Sequence, residues 1–240
     1  MKAIKPLAAF IAGYQSSHTP VREKLYASLA SFAAILILVV LVHYFSVGNS
    51  FSLLVLASMG ASAFLLFVVP HSPMSQPWPV IGGHLLSAAI GVACARWIQS
   101  PAFATATAVA VSIFAMHWLH WLHCLHPPSA ATAMIAVLGG PEVHVIGWQF
   151  CYEVVAINVG IMVLLSIVIN NLIPGRRYPL LHSHHPHHAE FTRVDHTPYD
   201  ELKEEDFKWA LGQIDGFIDV SAEDLVDLYE FAVEHAQSRK

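Results

Sequence analysis

The sequence predicts an all-α, polytopic membrane helical bundle, and three observations carry that prediction. Hydrophobic residues make up 55% of the 240-residue chain and charged residues only 12%, about half of the roughly 25% charge that a soluble surface carries. The shortage is concentrated: between Leu25 and Asn171 the formal charges are Arg96, Glu142 and Glu153 and no others. Within that stretch apolar runs recur at 25–45, 51–69, 79–98, 102–122 and 148–171. Each has about 20 residues, enough to cross roughly 30 Å of hydrocarbon at 1.5 Å per residue. A globule of this composition would be as apolar outside as inside, so lipid is the solvent that fits it.

The first segment, 1–24, carries Lys2, Lys5, Arg22 and Lys24 against Glu23, and the excess of cations places it in the cytoplasm. Its apolar stretch, Leu7 to Ala12, is short and lacks a small-x-small cleavage site, so it reads as part of a mature bacterial inner-membrane protein and not as a signal peptide. The transmembrane domain spans 25–173. After the last apolar run, Arg176 and Arg177 ask for the cytoplasm as well, and two cytoplasmic ends require an even number of crossings. A sixth, shorter run, Ser129 to Leu138, lies between Pro127-Pro128 and Gly139-Gly140-Pro141; six crossings follow if it completes one.

An internal comparison agrees. Ala61 to Val69 resembles Ala131 to Gly139, and Val80-Ile81-Gly82 resembles Val145-Ile146-Gly147; each match follows one more long run. Three segments repeated make the second copy upside down, an inverted repeat with broken helices. The plainer alternative is that helices rich in small residues look alike. Cys94, Cys124 and Cys151 all lie in apolar stretches, which suits free thiols.

Beyond the membrane domain comes a His-rich linker, 174–199, with His182, His184, His185, His187 and His188. It could bind nickel or zinc, as exposed His tracts do weakly without any role. An acidic tail, 200–240, follows. There Ser221 and Asp224 form a capping box before the stripe Leu225, Leu228, Tyr229 and Phe231. Fourteen acids against five bases from Tyr178 on exclude a nucleic-acid surface.

Four constellations could carry chemistry. In His126-Pro127-Pro128-Ser129-Ala130-Ala131-Thr132, prolines at the first helical positions start a new helix inside the membrane. Its N–H groups and dipole would welcome an anion, helped by the hydroxyls of Ser129 and Thr132. The counterpart in the first half is Ser58-Met59-Gly60-Ala61-Ser62, and breaks at matching positions of two halves point to a transport site. A packed proline kink is the structural alternative. Second, His117, His120, His123 and His126 recur every three residues among Trp118 and Trp121, a pattern for a transition metal or a proton relay, or for an interfacial belt. Third, the stiff, uncharged loop from Pro70 to Pro79 leads to Gly82, Gly83 and His84, which suits a vestibule. Fourth, Glu153 lies early in the last run, where an acid serves proton or ion coupling or snorkels to the interface. Arg96, near the end of its run, reads as an interfacial anchor.

These motifs identify the chain as resembling the HPP family of integral membrane proteins, named for the His-Pro-Pro motif found here in Leu125 to Ala133. The resemblance extends through Ser72 to Pro77, Ile81 to Ala88, Val137 to Glu142 and Asn170-Asn171-Leu172, and covers about 20 to 180. Ile218 to Leu225 looks like an extension carried by some bacterial members. Cyanobacterial and plastid members are associated with nitrite transport, and the family is usually described with four spans, against the six read here.

The expected function is a small-anion, nitrite-like transporter or channel. Ser58, Gly60, Ser62, His84, His126, Pro127, Pro128, Ser129 and Thr132 would bind the substrate, with Glu153 as the coupling group. No cofactor and no enzymatic activity are expected. The partners are a small inorganic anion and membrane lipid, and small-residue faces leave room for a homo-oligomer. The rival reading is a transition-metal transporter or His-ligated membrane enzyme built on His117, His120, His123 and His126.

Overall fold

A computed structural model describes residues 21–46, 57–180 and Tyr229. The N-terminal segment before 21, the His-rich linker and the acidic tail with its capping box lie outside the described residues, apart from Tyr229, which is helical. The chain divides into two compact units, and Arg22–His184 contains the bundle.

The helices are α1 (Val21–Ser46), α2 (Ser58–Val68), α3 (Pro77–Trp97), α4 (Pro101–Trp118), α5 (Ser129–Leu138), α6 (Gly140–Ile146) and α7 (Ala156–Leu172). Short 3₁₀ turns cover Pro73–Ser75 and His120–Leu122, and a π-helical turn, Phe150–Val155, runs into α7. The described residues contain no strand. Prolines open α3 and α4: Pro77 follows extended Gln76, and Pro101 follows Ser100, whose hydroxyl accepts the Phe103 N–H at 3.5 Å. A ring at the first helical position costs no hydrogen bond, because that N–H has no partner inside the helix.

α1 shows how a lipid-facing helix is built. Ala27, Ala30, Ala34, Leu38 and Val42 are buried, and Leu25, Leu29, Phe32, Leu36 and Val40 face outward. Both stripes are apolar, and the inner one is mostly small, which is how helices pack in lipid. α3 is the central element, packed against α4, α5, α7 and the π-helical turn. Its contact with α5 is backbone on backbone. A Cβ added at Gly91 would stand 2.7 Å from the Ala133 carbonyl oxygen, and one at Gly83 would stand 2.9 Å from that of Cys124.

Among the described residues four helical segments are long and apolar enough to cross a membrane: Val21–Tyr44, Pro77–Trp97, Pro101–Trp118 and Phe150–Leu172. α5 and α6 meet at a 97° bend and make a fifth if counted together. Gly140, at φ 78°, is the hinge that a side chain would strain. Among the described residues, the run at 51–69 is helical over Ser58–Val68, 11 residues, and α5 has 10. At about 15–16 Å each, neither crosses alone. Each half therefore orders a long, a short and a long helix; the expected six crossings and inverted repeat go beyond what helix lengths establish.

Two expectations need correction. The run at 102–122 is not one helix, because α4 stops at Trp118 and the chain passes through a 3₁₀ turn to His123 at φ 48°. The prolines Pro127 and Pro128 also precede α5 instead of forming its first two positions, since the helix starts at Ser129.

Candidate functional site

The two short helices meet in the interior. The Ser58 and Thr132 hydroxyls are 2.9 Å apart, joining the first residue of α2 to the first turn of α5. Thr132 Oγ1 also lies 2.7 Å from His84 Nδ1 on α3. Ser62, one turn beyond Ser58, stands 3.0 Å from His84 Nε2 and 2.9 Å from His126 Nε2. His126 closes the array by donating from Nδ1 to the Met74 carbonyl at 2.8 Å. Below them Ser87 donates to Ser129 at 3.2 Å, and Ser129 donates to the His126 carbonyl at 2.6 Å. These seven hydroxyl and imidazole side chains are all buried, and none carries a formal charge when the imidazoles are neutral.

The geometry follows from local sequence. Pro127-Pro128 turns the chain so that His126 points back toward α2 while Ser129 and Thr132, three apart, share the inner face of α5. Gly83 removes the side chain that would otherwise fill the gap: its Cβ would fall 3.0 Å from His126 Cβ and 3.2 Å from Ser129 Oγ. The two imidazoles therefore approach to 5.1 Å between ring centroids.

Six of the sequence-selected residues thus come together: Ser58, Ser62, His84, His126, Ser129 and Thr132. Others do not. Gly60 faces outward with open space around it, and Pro127 is exposed, with Pro128 half-buried. The expected free N–H groups at the start of α5 are taken: Ser129, Ala130 and Ala131 donate to the carbonyls of His126, Pro127 and Pro128 at 3.0, 3.2 and 3.2 Å. Donors at this site are side chains. Glu153 is half-buried in the π-helical turn, and no hydrogen bond among the described residues links it to the cluster. His117 and His123 are exposed whereas His126 is buried, because α4 ends before the three-residue spacing can hold them on one face. Among the described residues no group of three or more His, Cys, Asp or Glu could hold a metal ion.

Sequence reasoning missed Ser87, although its place three residues after His84 put it on the same helical face. It also missed a second polar centre at the other end of α2. Of the carbonyls that end that helix, Leu65 accepts the Val69 N–H at 3.2 Å and those after it look for partners outside the helix. Leu65 also accepts from the Ser75 hydroxyl at 3.1 Å, Leu66 from Asn170 at 3.0 Å, and Phe67 from Arg176 Nη1 at 3.0 Å. Arg176, buried, further donates to Asn170 Oδ1 at 2.7 Å and pairs with Glu23 through Nε at 2.6 Å and Nη2. The Tyr178 hydroxyl donates to the Ser75 carbonyl at 2.6 Å. This network brings the start of α1 and the segment after α7 to one end of the bundle.

Toward the other end of α3 a cavity of about 100 Å³ opens between α3 and the α5–α6 bend, lined by Val92, Ala95, Arg96, Ala136, Val143, His144 and Gly147. It begins two turns beyond His84 along the seam of Gly91 with Ala133 and Ala136.

Two curated transmembrane proteins of Dictyostelium discoideum are similar to this chain. One is 38% identical over 154 residues, covering 63% of this chain and 53% of the relative. The other is 34% identical over 170 residues, covering 68% and 53%. The chain spans about half the length of these relatives. No solved structure matches. The family model described as HPP, transmembrane region, matches residues 16–179, a range that contains both polar centres. The chain is an integral, multi-pass membrane protein and belongs to the HPP transmembrane family.

Proposed function

We propose that this protein is a small-anion membrane transporter or channel of nitrite-like selectivity, with the anion passing through the hydroxyl and imidazole cluster. The observation that carries the reading is an uncharged set of donors, buried where two half-length helices meet in an apolar bundle. Ser58, Ser62, Thr132, Ser129 and the two imidazoles can turn their protons toward a desolvated anion without holding a fixed opposite charge. A hydrogen bond to a charged group contributes about 1.5–3 kcal/mol net, so a few of them bind a monovalent anion and still release it. A resident Lys or Arg would trap it.

Arg96 and His144 fit this scheme as the lining of the cavity farther along the α3–α5 seam, where a permanent cation raises the local anion concentration. In the same reading α2 and α5 belong to two further crossings. Both termini are then cytoplasmic in a bacterial inner membrane, the side that the excess of Lys and Arg at 2–24 and Arg177 favours.

Proteoliposomes of the purified full chain test the proposal. Under a concentration gradient nitrite is expected to enter, with nitrate, formate and chloride ranking the selectivity. If none of the four moves faster than in protein-free liposomes, the proposal is wrong.

A further inference from the structure

The hydrogen positions in the cluster follow from its heavy atoms once each contact with a neutral imidazole is given one proton. The Met74 carbonyl can only accept, so a neutral His126 carries its proton on Nδ1 and presents a bare Nε2 to Ser62. Ser62 can give its single proton to His126 at 2.9 Å or to the Ser58 carbonyl at 3.2 Å, and the shorter contact, whose bare Nε2 would otherwise face a lone pair, takes it. With that proton committed, the Ser62 oxygen accepts from His84 Nε2–H. His84 is therefore bare at Nδ1 and accepts from Thr132, whose oxygen accepts from Ser58. The result is one directed chain, Ser58 to Thr132 to His84 to Ser62 to His126 to Met74, in which the two imidazoles hold opposite tautomers.

We infer that this chain is a proton relay, giving the protein proton-coupled movement of a monovalent anion. The transfer balances. A proton arriving on Ser58 displaces the Ser58 proton to Thr132 and the Thr132 proton to His84 Nδ1. His84 releases its Nε2 proton to Ser62, which passes its own to His126 Nε2. Every hydroxyl ends with one proton, His84 ends neutral with its tautomer exchanged, and one added positive charge rests on His126. The transfer completes when the hydrogen bond to the Met74 carbonyl opens and the Nδ1 proton passes to bulk water on that side, where the Met74 side chain is exposed.

Around the pair, the titratable groups are few. His84 and His126 face each other, and Cys124 lies against Gly82 and Gly83. No Asp, Glu, Lys or Arg among the described residues bonds to the chain. One proton carried with one monovalent anion leaves no net charge to bury in the apolar interior, where an isolated charge is costly. The inference rests on the transport reading for its use but not for its geometry.

Two measurements test it. Nitrogen-15 solid-state NMR of the unaltered protein in bilayers is expected to find His126 protonated at Nδ1 and His84 at Nε2; two rings in the same tautomer would overturn the assignment. Proteoliposomes loaded with a pH-sensitive dye then read protons while nitrite is assayed separately. Under an inward nitrite gradient, with valinomycin and equal potassium holding the potential at zero, the unaltered protein is expected to acidify the lumen and Ser62→Ala to fall to the protein-free level. Equal flux through Ser62→Ala, or none through the unaltered protein, makes the network a static scaffold and overturns the relay. Nitrite entering without protons also overturns it while leaving transport standing; protons moving without nitrite support the relay and remove the transport reading.

Discussion

The two ends of α2 are both buried and both polar, yet they are built from different chemistry. At its C-terminal end a guanidinium, paired with Glu23 and fixed by Asn170, donates to the Phe67 carbonyl, and the Asn170 amide donates to that of Leu66. At its N-terminal end Ser58 and Ser62 meet neutral hydroxyls and imidazoles whose protons can be handed on. A charge in hydrocarbon needs fixed partners and therefore locks what it touches. A neutral network is cheaper to rearrange. The charged end holds α2 in place; the uncharged end is where a guest can be exchanged.

The largest expected effect breaks the locked end. Arg176→Ala leaves Glu23, Asn170 and the Phe67 carbonyl without their partner, and losing one member of a buried pair costs about 3–5 kcal/mol. Thermal unfolding in detergent is expected to show a steep loss of melting temperature, with transport lost in proportion to folded protein. Next comes the α3–α5 seam, whose α5 side carries Ser129 and Thr132 of the exchangeable end. Gly91→Ala drives a methyl to 2.7 Å from the Ala133 carbonyl oxygen and Ala136, and overpacking of this kind costs about 1–3 kcal/mol, read in the same melt. Ser58→Ala at the exchangeable end removes one neutral hydrogen bond, about 1 kcal/mol. Its signature is anion uptake that falls further than the amount of folded protein. An uptake loss matching the stability loss would erase the contrast between the ends.

The smallest effect is a pH dependence at the locked end. Burial first, then the Arg176 charge, lowers the His71 imidazole below its ordinary value of 6.5. The fold thus favours the neutral ring, and as the pH falls through 6.5 the unfolded chain takes up that proton first. The His71 contribution is fully present above about pH 6.5 and declines below it. His71→Asn is expected to flatten the acid side of the melting-temperature profile, and an unchanged profile assigns the acid sensitivity elsewhere.

The exchangeable end was legible in the sequence because its residues are punctuated. Pro127 and Pro128 announce a helix start, and the hydroxyls follow at spacings of three and four. The same periodicity shows where the reading went wrong. Gly60 lies two residues from both Ser58 and Ser62, about 200° round the helix, and so faces away. The histidine series assumed that α4 continues past Trp118, and its end scatters His117 and His123 to the surface. The locked end was hidden for another reason. Arg176 signalled only a membrane side, and nothing in a string of letters says that it would return 109 residues to cap Phe67. Long-range capping of a short helix is a property of packing, and its sequence trace was limited to an Asn and an Arg near the end of the last apolar run.

The most direct test sits at the junction of the two short helices. Thr132→Val keeps the shape of the side chain and removes the oxygen that touches both Ser58 and His84. Initial nitrite uptake into proteoliposomes, normalised to folded protein, is the quantity to measure. The account predicts that the variant inserts and folds but takes up nitrite far more slowly than the unaltered chain. Uptake at the unaltered rate would contradict it, since the anion would then pass without using the cluster.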